Sequence, residues 1–241
     1  MRSDPGTGAC SSPAPDSAAP SRPPRVLLLD PPQMPYDAAL ALMRGVAPRV
    51  RTGEHPPLLI LTEHPPTLTL GRRAGEEELA ATPGELAARG LAVHRIERGG
   101  LATAHGPGQL VAYPVLHLPS LGLGVRTLVE RLEAAVIAVA GDYGLPAGRR
   151  EGHPGVWVGE RKLASLGLAV KRGVSLHGLA LNYGPDLWYF DAIRPCGLDR
   201  EAITSLALLL GREMAAAEVK AKLAQRLGEA LGVVWRREAA R

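Results

Sequence analysis

Three consecutive strand-like segments, separated by very short turns, constrain the fold of this 241-residue chain most strongly. The segments cover residues 156–158, 162–170 and 174–181, and glycine occurs in both intervening runs, at Gly159 and Gly173. Connections this short join antiparallel neighbours, because parallel strands need a much longer crossover. The sequence therefore predicts an antiparallel meander in the second half of the chain, around which the other elements must pack.

The rest of the chain supplies elements that can extend and cover such a sheet. Further strands are predicted at 26–29, 58–62, 67–70, 91–96 and 109–116. Apolar residues recur at helical spacing from Tyr36 until Pro48 interrupts the pattern. The same spacing predicts helices over 125–141, where Val125 opens the apolar stripe, and over 216–231. Because strands come in runs and do not alternate strictly with helices, we expect an α+β fold, a single domain with a mixed sheet and flanking helices.

The positive charge of the chain is concentrated at its ends. Residues 1–24 are rich in proline, alanine and serine, which predicts a disordered tail ahead of one folded domain at 25–241. The formal net charge of +4 arises in residues 1–25 and 212–241, so residues 26–211 sum to zero. A neutral body with a single phenylalanine for base stacking is not typical of a nucleic-acid-binding protein, and we expect no such partner.

Cysteine usage and hydropathy indicate the compartment. Cys10 and Cys196 are too few for a disulfide framework and are expected to be free thiols in a reducing compartment. No apolar run is long enough to span a membrane, and no secretory signal is recognisable. We therefore expect a cytoplasmic protein without membrane association. Cys196 has no cysteine or histidine at metal-ligand spacing, so we expect no metal site.

A glycine-rich loop carries a cation and an imidazole within twelve residues. It runs from Arg98 to Gln109 and contains Thr103 and His105 among four glycines and a proline. Glycines let the main chain approach a ligand closely, so this composition is compatible with a binding loop. An ordinary connection between strands would use the same glycines, and the loop alone does not separate the two interpretations.

Cys196 and Lys162 are the candidate reactive side chains. Proline and glycine flank Cys196, which predicts a tight turn that presents its thiol as a nucleophile. Of the 28 basic residues only four are lysines, and one of them, Lys162, directly follows Arg161. A lysine can release its proton when burial or a nearby cation lowers its pKa, whereas an arginine cannot. A buried structural cysteine and a solvated turn lysine are the alternatives.

Small residues on two predicted strands leave space for a ligand. Ser165 and Gly167 share one face of the first strand, while Gly178 and Ala180 take positions where a buried strand usually carries bulk. His177, next to them, is either a satisfied core histidine or a ligand-binding one. We therefore expect a ligand slot along these two strands.

Four motifs follow one another in a fixed order along the chain. They are Arg98-Gly99-Gly100 with Thr103-x-His105-Gly106-Pro107-Gly108-Gln109, Lys162-Leu163-Ala164-Ser165-Leu166-Gly167, His177-Gly178-Leu179-Ala180-Leu181-Asn182, and Phe190-x-x-Ile193-x-Pro195-Cys196-Gly197. Together they resemble the octanoyltransferases of lipoate biosynthesis, over about residues 26–235. The resemblance implies the biotin/lipoate protein ligase fold, which is class II synthetase-like. It also implies transfer of an octanoyl group from octanoyl-acyl carrier protein to a lysine of lipoyl domains, the first step of endogenous protein lipoylation.

The resemblance implies roles for individual residues. Cys196 would carry the acyl group as a thioester, and Lys162 would lower the pKa of that thiol and act as acid and base. The acyl-binding residues would be Arg98, Gly99, Gly100, Leu101, Ala102, Thr103, Ala104, His105, Ser165, Leu166, Gly167, Gly178, Leu179 and Ala180. Leu101 and Ala104 stand where the family usually has a polar and an aromatic residue, so we expect a differently shaped outer wall. His64 matches a family position near the site.

The partners implied by the resemblance are octanoyl-acyl carrier protein, the lipoyl domains of 2-oxoacid dehydrogenase complexes and the H protein of glycine cleavage. We expect a monomer that needs neither ATP nor any other cofactor. Two alternatives stay open. One is an ATP-dependent lipoate or biotin protein ligase of the same fold, for which residues 71–75 loosely resemble an adenylate loop. The other is a non-catalytic module that binds acyl carriers or lipoyl domains.

Overall fold

A computed structural model describes residues 23–193 and 202–237 of the chain. Its strands are β1 (Arg25–Leu29), β2 (Leu58–Thr62), β3 (Thr67–Leu70), β4 (Ala92–Arg95), β5 (Ala102–His105), β6 (Gln109–Val115), β7 (Ala147–Arg150), β8 (His153–Val158), β9 (Arg161–Lys171), β10 (Val174–Asn182) and β11 (Val234–Arg237). Its α-helices are α1 (Tyr36–Thr52), α2 (Pro83–Ala88), α3 (Val125–Asp142), α4 (Leu206–Leu210) and α5 (Ala216–Leu231). Both cysteines and nearly all of the predicted tail lie outside the described residues.

Eight strands form one mixed sheet in the order β11-β1-β2-β6-β10-β9-β8-β7. β1 runs parallel to β11 and β2, whereas every pair from β2 to β7 is antiparallel. The predicted meander is β8, β9 and β10, so that prediction is confirmed. A second sheet, ordered β4-β3-β5, pairs β3 in parallel with β4 and antiparallel with β5. The predicted α+β class with a mixed sheet is therefore confirmed.

Helices cover both faces of the main sheet. Along β2, Leu59 and Leu61 pack with apolar residues of α3 and α5, while Leu58 and Ile60 pack with apolar residues of α1. This alternation explains why all five residues of β2 are buried, since a strand with both faces covered has no solvent side. A third apolar cluster joins the small sheet to the short 3-10 turn Trp188–Ala192.

The structure corrects the predicted first helix. α1 continues through Pro48 and ends only at Gly53, whose φ of 79° stops it. Pro48 lies on the exposed side of α1, and the apolar positions continue beyond it with Val50 on the buried side. The missing N–H costs one hydrogen bond, but continued burial of the apolar face keeps the helix intact. Val125, expected to open the stripe of α3, is 50% exposed, so the buried stripe begins at Leu128.

Several short elements follow from long-range pairing that the sequence pattern does not reveal. β5 lies inside the predicted glycine-rich loop and exists because it pairs with β3 across the small sheet. β7, β11, α2 and α4 are likewise short elements that were not predicted. Among the helices of residues 23–193 and 202–237, none is both long and apolar enough to cross a membrane.

Candidate active site

One cavity collects most of the predicted binding residues. It lies between the main sheet, β5 and the loop before β5, and the empty space within it is about 680 Å³ including the part open to solvent. The predicted residues that line it are Arg98, Gly100, Leu101, Ala102, Thr103, His105, Lys162, Ser165, Leu166, Gly167, Gly178, Leu179 and Ala180. Gly99 and Ala104 lie behind the wall: the Gly99 N–H donates to the Leu168 carbonyl (3.0 Å), and Ala104 is fully buried among apolar residues of the small sheet.

Lys162 lies at one end of the cavity, near the start of β9. Only 8% of the residue is exposed, and its Nζ lies 5.3 Å from the centroid of the Trp157 ring, within cation–π range. Gly155 makes room for it, because a Cβ there would lie 2.7 Å from Lys162 Cε and 2.5 Å from the Ala164 carbonyl oxygen. The φ of 132° at Gly155 also requires glycine. Two residues of β8 therefore position the lysine: the Trp157 ring contacts its ammonium, and Gly155 leaves space for its side chain.

A buried carboxylate on α3 holds the Gly155 segment in place. Glu133 accepts a hydrogen bond from the Gly155 N–H (3.2 Å) and forms an ion pair with Arg149 Nε (2.8 Å). Its side chain is only 8% exposed, so the arginine offsets much of the cost of burying the charge. Sequence reasoning missed Glu133, because nothing near it in the chain marks a helical glutamate that faces inwards.

Described residues on either side of the segment that contains the predicted nucleophile line the cavity. Cys196 itself lies outside the described residues, within 194–201. Phe190 before this segment and Ile203 after it both line the cavity. Ile203 pairs with Lys162 in a parallel bridge, and the N–H of Thr204 donates to the Lys162 carbonyl (3.0 Å). The chain on the far side of 194–201 is thus bonded directly to the lysine's backbone.

Buried side chains that are hydrogen-bonded in a row connect the glycine-rich loop to the Thr204 backbone, which is itself bonded to Lys162. His105 donates from Nδ1 to Gln109 Oε1 (2.6 Å), and Gln109 Nε2 donates to Asn182 Oδ1 (2.9 Å). Asn182 Nδ2 in turn donates to the carbonyl of Thr204 (3.0 Å). These bonds fix the histidine of the loop relative to the backbone beside Lys162, which is how a loop residue and a strand residue far apart in sequence keep a constant geometry.

His64 supports the cavity wall from behind. It donates from Nδ1 to the Met34 carbonyl (2.7 Å) and accepts at Nε2 from the Tyr113 hydroxyl (2.8 Å). Burial lowers the pKa of His64 to about 4, so the ring is neutral and can accept that bond. Tyr113 lines the cavity together with Tyr36, whose ring stacks on His105 at 5.9 Å. Neither tyrosine was singled out from the sequence, where both read as apolar positions of a helix and a strand.

His177 lies towards the other end of the cavity. It is 2% exposed, its φ is +59°, and burial lowers its pKa to about 4. Its Nε2 lies 3.9 Å from Glu97 Oε2, and Glu97 forms an ion pair with Arg44 at 2.6 Å. His177 is buried and lines the cavity, but its Nε2 has no hydrogen-bond partner among the described residues, so it is not a satisfied core histidine. The ligand-binding interpretation stays a prediction.

The space beside Gly167 and Gly178 is filled by other parts of the protein, the Arg98 side chain and the Ala112 carbonyl. A Cβ at Gly167 would lie 2.9 Å from Arg98 Cδ, and a Cβ at Gly178 would lie 2.0 Å from the Ala112 carbonyl oxygen. The Arg98 guanidinium donates to the backbone carbonyl (2.8 Å) and hydroxyl (2.9 Å) of Thr69, which ties the segment after β4 to β3 of the small sheet. The two glycines therefore allow close packing at the wall, and the ligand space is the cavity beyond them.

The segment suggested as an adenylate loop has its amides occupied. The N–H groups of Gly71, Arg72 and Arg73 donate to carbonyls of residues 98–101, and that of Ala74 donates back to Gly71. A phosphate-binding loop needs such N–H groups directed at the ligand. Within the described part of the chain, no group of three His, Cys, Asp or Glu side chains is arranged to hold a metal ion.

Comparison with known proteins identifies the family. The model of the lipoyl protein ligase A/B catalytic domain matches residues 35–228, which include every described residue of the cavity. The chain belongs to this family. Among curated members, an octanoyltransferase from Chloroflexus aurantiacus is 45% identical over 210 residues, covering 86% of this chain and 94% of the relative. An octanoyltransferase from Syntrophobacter fumaroxidans is 41% identical over 200 residues, covering 83% and 88%. This lipoyl protein ligase family member is an acyltransferase.

Solved structures of the family share its fold. A bipartite lipoate protein ligase studied with its E2 lipoyl domain from Thermoplasma acidophilum superposes with a TM-score of 0.70 at 21% identity, covering 91% of this chain and 88% of that one. Lipoate-protein ligase A bound with ATP gives a TM-score of 0.72 at 19% identity, covering 91% and 90%. At these identities the likeness establishes the fold alone, and the predicted lipoate protein ligase fold is confirmed.

Proposed function

We propose that this enzyme transfers the octanoyl group of octanoyl-acyl carrier protein to a lysine of a lipoyl domain, as the first step of endogenous protein lipoylation. The observation that carries the proposal is the cavity itself: Lys162 lies at one end of it, paired with Ile203, which follows the segment 194–201 that contains Cys196. The similarity to curated octanoyltransferases supports the choice of acyl group. The acceptors we propose are lipoyl domains of 2-oxoacid dehydrogenase complexes and the glycine cleavage H protein.

In the first half-reaction, Lys162 takes the proton of the Cys196 thiol. The thiolate attacks the carbonyl carbon of the octanoyl thioester, a new C–S bond forms to Cys196, and the C–S bond to the phosphopantetheine arm breaks. The departing sulfur takes the proton back from Lys162. Because one thioester replaces another, this exchange needs no external energy source.

In the second half-reaction, the amine of the lipoyl-domain lysine attacks the same carbonyl carbon. A C–N bond forms and the C–S bond to Cys196 breaks. The proton lost by the amine passes through Lys162 to the cysteine sulfur, which returns both groups to their starting states. An amide is more stable than a thioester, so this step drives the overall transfer forward.

The surroundings of the cavity suit this chemistry. Each buried methylene of an acyl chain contributes about 0.8 kcal/mol of binding free energy, and residues such as Leu101, Val111 and Leu179 supply the apolar wall. Low exposure of Lys162 removes water that would compete for protons at the reacting atoms. The occupied amides of residues 71–74 disfavour the ATP-dependent alternative.

The covalent intermediate provides the sharpest test. Intact mass spectrometry after mixing the enzyme with octanoyl-acyl carrier protein, without ATP, should show one octanoyl addition. Cys196→Ala should abolish both the addition and transfer to a lipoyl domain, whereas Cys10→Ala, the matched control, should behave as the unaltered protein. Transfer that requires ATP and survives Cys196→Ala would establish the ligase alternative. Binding of the carrier without any adduct or transfer would establish the non-catalytic alternative.

The role of Lys162 is tested by Lys162→Arg, which keeps the charge but removes the ability to exchange a proton. General acid–base catalysis contributes about 10²–10⁴-fold, so we expect kcat to fall by that factor with little change in KM for the carrier. Lys171→Arg, at the exposed far end of the same strand, is the matched control and should leave kcat unchanged. Equal kcat values for the two variants would remove Lys162 from the mechanism.

A further inference from the structure

His177 lies between the acyl cavity and a second groove. The groove is lined by Arg44, Glu97 and Leu176, among others, and none of these three lines the acyl cavity. Their chain neighbours, His177 and Arg98, do line the cavity. The partition between the two spaces is therefore made by consecutive residues of β10 and of the segment after β4.

Strand register places this partition at the end of the cavity remote from Lys162. His177 pairs with Leu168, and Ser165 pairs with Ala180. The Lys162 side chain runs alongside Ala164, since a Cβ at Gly155 would lie 2.7 Å from Lys162 Cε and 2.5 Å from the Ala164 carbonyl oxygen. From the next residue, Ser165, the three residue steps to Leu168 span about 10 Å of extended strand, which compares with the length of a fully extended eight-carbon chain. An acyl chain with its carbonyl near Lys162 thus has its methyl end near His177.

The His177 side chain is held at this position at a conformational cost. A φ of +59° is unusual for a residue with a Cβ, and such a backbone persists only where surrounding packing imposes it. The imidazole is buried and meets the Tyr113 ring edge-on at 6.3 Å. Among the described residues, no hydrogen-bond partner reaches its Nε2, although the Glu97 carboxylate stands 3.9 Å away. A ring held there with its Nε2 unpartnered supports a steric role for this side chain.

We propose that His177 sets the acyl chain length, because its imidazole closes the far end of the acyl cavity. Chains of about eight carbons end against the ring, and longer chains would have to pass into the groove of Arg44 and Glu97. The inference rests on the proposed octanoyl transfer and adds to it the residue that determines specificity. It assigns to this histidine a steric part and no proton transfer.

His177→Gly tests the proposal without adding backbone strain, since glycine adopts a φ of +59° freely. The experiment measures kcat/KM with octanoyl- and decanoyl-acyl carrier protein and a lipoyl domain. Two further methylenes that gain a buried site should raise the decanoyl-to-octanoyl ratio about tenfold over that of the unaltered protein. His177→Asn, whose smaller side chain also tolerates this backbone, should give an intermediate ratio.

Arg172→Gly is the matched control. Arg172 is the other non-glycine residue with a positive φ (51°) among those described, and it is exposed and lines the groove but not the cavity. The Arg172→Gly substitution relaxes a similar backbone conformation away from the cavity, so the decanoyl-to-octanoyl ratio of this variant should equal that of the unaltered protein. The thermal unfolding midpoint of each variant identifies the folded ones, and His177→Asn decides the question if His177→Gly does not fold.

The outcomes separate this inference from the function on which it rests. Folded His177 variants with an unchanged decanoyl-to-octanoyl ratio would overturn the role of His177 while octanoyl transfer by the unaltered protein stands. A shift of the same size in Arg172→Gly would assign the effect to backbone relaxation and also overturn it. Failure of the unaltered protein to transfer octanoyl groups from the carrier would instead refute the proposed function.

Discussion

The two ends of the cavity differ in the charge of the side chains that line them. At one end, Lys162 faces the Trp157 indole, and its backbone is bonded to the chain that follows residue 201. At the other lies His177, and His105 lies in the wall between the two ends; burial lowers the pKa values of these two rings to about 4 and about 3. The first end keeps a basic group beside a polarisable ring, whereas the wall and the far end hold imidazoles in their neutral form by excluding water.

The difference teaches that, in the proposed mechanism, one buried cavity would hold a basic group for proton transfer at one end and neutral side chains for acyl binding along the rest. A neutral, buried wall suits the apolar tail of an acyl chain, since a charged imidazole there would require solvent or a counter-ion. In the proposed mechanism, proton exchange takes place at the end where Lys162 lies. The next three predictions challenge this contrast, beginning with the largest effect.

Acid should destabilise the protein through its neutral histidines. The unfolded state binds a proton at each histidine near pH 6.5, whereas folded His64 and His177 stay neutral until about pH 4. Their contribution is therefore complete above pH 6.5 and is lost as the pH falls from there towards 4. Each histidine adds a slope of up to about 1.4 kcal/mol per pH unit to the free energy of unfolding in that window.

Denaturant unfolding between pH 4 and 8 measures this slope. His64→Gln should lower stability at neutral pH, because a glutamine cannot bond both the Met34 carbonyl and the Tyr113 hydroxyl as the ring does, but should also flatten the slope between pH 6.5 and 4. His153→Gln is the control, since His153 is exposed, and should leave the slope as it was. An unaltered slope in the His64 variant would show that this ring is not kept neutral by the fold.

Gly155→Ala should disturb the Lys162 end. The new Cβ would lie 2.5 Å from the Ala164 carbonyl oxygen and 2.7 Å from Lys162 Cε, both shorter than a van der Waals contact, and the φ of residue 155 is unfavourable for alanine. We expect a loss of about 1–3 kcal/mol in the free energy of unfolding, together with a lower kcat. Gly148→Ala on β7, where no heavy atom lies within 4 Å of the added Cβ, should change neither. A fully active, fully stable Gly155 variant would contradict the positioning role of this glycine.

Removing the indole should have the smallest effect. A cation–π contact contributes about 0.5–2 kcal/mol and favours the charged ammonium, so Trp157→Leu should lower the pKa of Lys162 and move the pH profile of kcat to lower pH. Trp157→Phe retains an aromatic face and should shift the profile less. Identical profiles for the two variants would show that only packing of the indole matters. The Arg150 guanidinium also lies 5.1 Å from the centroid of this ring, and a substitution of Arg150 distinguishes its effect on the profile from that of Lys162.

Elements with a strong local pattern were predicted closely. The boundaries of α5 coincide with the predicted 216–231, and β9 and β10 extend the predicted strands by one or two residues. α1 was predicted too short, because proline breaks helices on average but does not when apolar burial continues beyond it. β5 was interpreted as loop because its partner, β3, lies more than thirty residues earlier in the chain, and such pairing leaves no local signal.

Local periodicity and residue chemistry let the sequence by itself determine the fold class, the meander and the candidate residues, among them Lys162 and His105. Only the tertiary structure decided which of these residues meet in one cavity, and that Tyr36 and Tyr113 join them there. It also decided that the rings of His64 and His177 are neutral, since burial depends on which distant elements pack over a side chain. Desolvation is a property of the folded chain and is not encoded at any one position.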